Sequence, residues 1–178
     1  MKIAAAFLLL ALGASHAPLT ADEPPAVRIG TYDNRIVALA YYRSAQHSAE
    51  IDERMNAYRQ AEAAGNTAKV AELEAWFEQS QALAHRQTFA RYPVHDLLLP
   101  VADQLPQVLV DQQVVAIVWQ CHGQADNVEV VDVSLALAQL YEPNEKTLKI
   151  IKRIRRSDPV DLPIVDSHSH GHDHHHHH

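Results

Sequence analysis

The chain has one cysteine, Cys121, among its 178 residues. No disulfide can form within it, so the fold must be held by its core alone. A lone thiol of this kind is expected to be buried as a small apolar residue. Cations are also in short supply. Fifteen Lys and Arg face twenty-two Asp and Glu, a formal net charge of −7 with histidine neutral. That field repels phosphate and argues against a nucleic-acid partner. Past the first twelve residues no apolar run approaches the ~20 residues that a membrane-spanning helix needs, so no transmembrane segment is expected. No internal repeat is present. His47, His85 and His95 stand isolated, and no HExxH-like arrangement occurs. Cys121-His122-Gly123 is the nearest approach to a nucleophile pair. Adjacent strand residues point to opposite faces, however, and no neighbour is placed to lower the thiol pKa. An enzyme is not expected, and no cofactor is required.

What is present starts with an export signal. Lys2 gives a positive start, Ile3 to Leu12 is an apolar run of ten, and the small residues Gly13, Ala14, Ser15 and Ala17 follow. Residues 1–17 therefore read as a signal peptide, which places the mature chain in the periplasm or outside the cell. Residues 18–26 carry Pro18, Pro24 and Pro25 and read as a disordered leader. Hydrophobic residues make up 47% of the chain, enough for one real core. A single α+β domain over residues 27–156 is the expectation.

Within that domain Val27 to Asp33 alternates as a strand, and Ile36 to Tyr42 can start a helix after a cap at Asp33 or Asn34. Residues 44–64 turn helical, with Ile51, Met55 and Tyr58 on one stripe. Gly65-Asn66 breaks the run, and a second helix to about Arg91 carries Val70, Leu73, Trp76, Phe77, Leu83 and Ala84. Two such helices joined by so short a turn predict an antiparallel helical hairpin over about 44–92. Asp96 to Gln113 is helical with breaks at Pro100 and Pro106. Val114 to Trp119 and Val128 to Val133 are two further strands, expected as a β-hairpin across Cys121–Asn127. Leu135 to Tyr141 is a short helix with Ser134 as its cap, and Asn144 to Arg156 is a last one whose basic residues face solvent. The fold class is thus a small three-stranded β-body with an antiparallel helical hairpin inserted between strand 1 and strands 2–3.

Three stretches carry a family likeness. Val27-Arg28-Ile29-Gly30-Thr31-Tyr32-Asp33, Val114-Val115-Ala116-Ile117-Val118-Trp119, and Val130-Val131-Asp132-Val133-Ser134 with Leu137 and Leu140 resemble the opening, middle and closing strands of the Skp/OmpH-like periplasmic chaperones. The likeness spans residues 27–141. It implies a homo-oligomer, a trimer through the β-body, that holds unfolded outer-membrane proteins. The hairpin here is shorter than that family's tentacles, and this chain is acidic where the family is basic.

Residues 157–178 read as a flexible tail. It carries His168, His170, His172, His174, His175, His176, His177 and His178. Neutral imidazoles spaced along a pliable chain can wrap zinc, nickel or copper. The alternative function is therefore an exported metal-binding protein that uses this tail.

Overall fold

The computed structural model describes residues 27–169. β1 (Val27–Thr31) leads through Tyr32-Asp33 into α1 (Asn34–Tyr42). The long helices α2 (Ala45–Ala63) and α3 (Thr67–Phe89) follow. Then come α4 (His95–Leu98), a 3₁₀ turn Leu99–Gln104 and α5 (Leu105–Gln112). β2 (Ala116–Val118) and β3 (Val128–Asp132) precede α6 (Ser134–Gln139), α7 (Glu145–Ile154) and α8 (Leu162–Ser169). The class is α+β, mostly helical, around one small sheet.

That sheet differs from the expected β-hairpin. Its order is β2-β1-β3, and β1 pairs in parallel with both neighbours: Gly30 lies opposite Ile117 on one side and Val131 on the other. β2 and β3 therefore point the same way and never touch each other. Residues 119–127 have to carry the chain from the end of β2 back to the start of β3. Nine residues can span up to ~30 Å, enough for a short crossover. The sequence resembles a hairpin loop because parallel connections usually take a dozen residues or more, often including a helix.

Side-chain alternation assigns the two faces of the sheet. Gly30, Ile117 and Val131 point toward the core, where Ile117 and Val131 pack against the buried cluster. Gly30 has a packing reason to lack a side chain, since a Cβ there would meet Val133 at 3.0 Å. Covering this face is α1, whose residues 34–41 are all buried. From Ile36 to Ala40 it is apolar on every side, as a helix inside a core is, and the buried Asn34 and Arg35 of its first turn are hydrogen-bonded. Each fully buried Ile, Val or Leu contributes about 1.5–3 kcal/mol, and Ile36, Val37 and Leu39 are all buried. Val94, Leu97, Val101, Val108, Val114 and Val133, with Leu137, Ala138 and Tyr141 of the α6 region and Ile151 of α7, belong to the same cluster.

The long helices behave differently. Ser44 caps α2 at the His47 N–H, and Asn66 caps α3 at the Lys69 N–H. Gly65 between them takes φ +67°, a left-handed conformation that suits glycine. Residues from the two sides of this turn meet: Tyr58 donates to Glu74 at 3.2 Å and packs edge-on to Phe77, while Arg54 lies 4.7 Å over the Trp76 ring. Leu73 and Ala61 are buried, and the other stripe residues are half-buried. No helix among the described residues is long and apolar enough to cross a membrane.

Three local expectations need correction. Cys121 is exposed, because the crossover runs over the outside of the sheet. Ser134 is not the cap of α6. It lies buried in the first turn, and Asp132 accepts from its backbone N–H at 2.9 Å. The region from residue 157 onward, read as tail, includes α8. Val165 of α8 is buried, Arg86 of α3 pairs with Asp166 at 2.7 Å, and the Val160 N–H donates to Phe89 O.

Candidate functional site

Two concavities flank the buried helix α1. The first is a polar cleft of about 680 Å³ at the carboxyl ends of the strands. β1 delivers Thr31, Tyr32, Asp33, Asn34 and Arg35 to it, and β2 delivers Trp119, Gln120, Cys121 and His122. Val130 and Thr31 also line it, from the sheet face turned away from Gly30 and Val131. The crossover after β2 therefore covers the face opposite α1. Connections leaving the adjacent strands β1 and β2 depart to opposite faces, and in open parallel sheets the crevice at such a divergence is where ligands bind.

A polar network fixes the wall of this cleft. Asp33 caps α1 by accepting from the Arg35 N–H, and it takes Nε and Nη2 of the same Arg35 at 3.0 and 2.6 Å. Arg35 Nη1 donates to Ser157 O at 2.9 Å. The Asp33 N–H donates to Ser134 Oγ at 2.9 Å, and that hydroxyl donates to Asp132. Arg155 closes the chain on Asp132 at 2.6 Å. The Arg35 guanidinium is 6% exposed, so its charged bonds count at about 1.5–3 kcal/mol each. The Arg155 pair is nearly half exposed and contributes under about 1 kcal/mol. Cys121 donates from Sγ to Gly123 O at 3.1 Å.

The second concavity is an apolar groove of about 470 Å³ where α1, α2 and α3 meet. Leu39, Ile51, Phe77, Ala84 and Phe89 line it, with Arg43, His47 and His85 among them. Gln87, 1% exposed, braces the floor: it accepts from Tyr42 Oη and donates to Pro93 O and Asp96. Asn34 Nδ2 donates to both Gln87 O and Ala90 O at 2.9 Å, tying α1 to the end of α3. Tyr41 donates to Glu50 at 3.1 Å, and burial, reinforced by that carboxylate, raises its pKa to about 12. His47 packs on the rings of Tyr41 and Tyr42 at 5.2 and 5.0 Å, and its Nδ1 is buried with no hydrogen-bond partner among the described residues. Burial pushes the His47 pKa down, against a smaller upward push from Glu50. Phe89 remains 44% exposed.

The fold brings His47 and His85 into one groove, which their isolation in sequence hid. His95 stands apart at the start of α4. His168 falls in α8, and the other seven tail histidines lie outside the described residues. Among the described residues no group of three or more His, Cys, Asp or Glu could hold a metal ion. The buried Arg35 was not singled out from sequence; its one signal is the Asp33-x-Arg35 spacing at a helix start.

Compared with protein-family models, with curated proteins and with solved structures, the chain matches none.

Proposed function

We propose that the chain is an exported protein-binding protein that holds a short apolar segment of another polypeptide in the groove between α1, α2 and α3. The open groove itself carries this reading. It is concave, apolar and braced from below by Gln87, the features of a small preformed site. Its volume suits one or two large side chains. Phe89 stands exposed at its edge, and Arg43 at the rim has no acidic partner among the described residues. The occupant is thus an extended segment with an apolar anchor and an acidic flank. In this reading the helices α2 and α3 form the antiparallel hairpin of a Skp/OmpH-like holdase, the clients are unfolded envelope proteins, and the β-body joins copies into a trimer.

The test is fluorescence anisotropy with a labelled peptide of that composition. Phe89→Asp should weaken binding by about tenfold or more, the scale of losing one buried aromatic contact. Because Phe89 is already exposed, the variant should remain folded. Equal affinity in parent and variant counts against the groove.

A second reading rests on the eight histidines at 168–178: the tail binds zinc, nickel or copper outside the folded body.

A further inference from the structure

The cleft at the carboxyl ends of β1 and β2 is a second site, independent of the apolar groove. Its charges are mostly spoken for. Arg35 is committed to Asp33 and Arg155 to Asp132. Two lining charges make no ion pair or side-chain hydrogen bond among the described residues, Arg91 and Asp158. They carry opposite signs. The Val160 N–H to Phe89 O bond, 2.8 Å long, brings their two segments alongside each other. Arg91 presents a fork suited to a carboxylate, and Asp158 presents an acceptor for an ammonium group. Trp119 and Val130 line the same cleft and offer apolar surface, and Tyr32 lines it as well. Burial raises the Tyr32 pKa, so its hydroxyl stays neutral.

We propose that this cleft binds a small zwitterion, a free α-amino acid or the like, with its carboxylate on Arg91, its ammonium on Asp158 and its side chain against Trp119. Three features favour a zwitterion over a simple anion. The paired arginines leave no surplus positive charge, the free charges are one of each kind, and the site lies where connections from parallel strands diverge. A volume of about 680 Å³ admits an amino acid with room for a large side chain.

The chain has two tryptophans, Trp76 and Trp119. A Trp76→Phe background therefore leaves Trp119 as the sole indole reporter in the full chain. The probes are L-phenylalanine, 3-phenylpropanoate, which lacks the ammonium, and phenethylamine, which lacks the carboxylate. L-phenylalanine should change Trp119 fluorescence saturably. Each analogue should bind about tenfold or more weakly, the scale of one lost charged hydrogen-bond partner. Arg91→Ala should erase the advantage of L-phenylalanine over phenethylamine, and Asp158→Ala its advantage over 3-phenylpropanoate. Both residues are exposed, so neither change should unfold the protein. The proposal is overturned if L-phenylalanine fails to give a saturable response. It is equally overturned if 3-phenylpropanoate binds as tightly as the amino acid, or if Arg91→Ala leaves the ranking unchanged.

Discussion

Removing the Asp33 carboxylate would leave the Arg35 guanidinium enclosed with Ser157 O as its remaining acceptor. It would also uncap α1, the central helix of the core. An uncompensated buried charge typically costs 3–5 kcal/mol. Because Asp33 is about a quarter exposed, Asp33→Ala should cost about 3 kcal/mol in urea unfolding. Glu129→Ala, which breaks the exposed pair with Arg28, should cost under about 1 kcal/mol. Equal costs for the two would overturn the role given to Asp33. His47 supplies a pH dependence. Its folded pKa lies below the unfolded value, so the unfolded chain takes up the proton first as pH falls. Stability linked to His47 is therefore whole above the unfolded value of about 6.5 and is lost as pH drops through the folded one. His47→Phe should lose less melting temperature than the parent between neutral pH and about pH 5.5. Parallel losses would remove His47 as the cause.

Among the elements, α2 and α3 were legible because turn chemistry announces itself. Gly65 takes the left-handed conformation expected of a helix-ending glycine, and Asn66 caps as asparagine does. What the stripe could not convey was its depth: Leu73 is 2% exposed, yet Trp76 and Phe77 are only half-buried. Leu73→Asp should therefore lower stability by several kcal/mol, and a melting temperature equal to the parent's would show that the contact does not matter. Strand direction was illegible for a plain reason. Alternation reveals which residues face the core but not which way a strand runs, and a nine-residue link suits a hairpin as well as a short crossover. α8 was hidden because Pro163 and a histidine-rich sequel mask a docking that rests on Val165 and on the Asp166–Arg86 pair. The candidate sites were least legible of all. Phe89, His85, Ile51 and Leu39 come from three helices, and nothing local to any one of them marks the groove.

At the scale of the whole molecule, the two proposed binding functions fall on different stretches of the sequence, the groove on residues 39–89 and the histidines on 168–178. Truncation after Ser169 leaves α8 complete and should remove most zinc, nickel or copper binding with no change in melting temperature. Truncation after Asp161 removes Val165 and Asp166 as well, and should lower the melting temperature. Calorimetric titration with zinc, run beside thermal melts, checks both. Full metal stoichiometry in the chain cut after Ser169 would move the site into the body, and binding should weaken as pH falls through about 6.5 because protons compete for the rings. The order of the sheet has a further consequence, in time rather than space. β1 comes first in the described chain but occupies the centre, and its partners lie far downstream: Ile29 waits for Ala116, and Val27 for Val128. Until the last of these has been made, the central strand has at least one bare edge, and loop closure over such separations is slow. A nascent chain with this wiring cannot finish its sheet early. For a protein proposed to cross a membrane before it folds, the delay keeps the chain threadable until synthesis has passed Asp132 of the 178 residues.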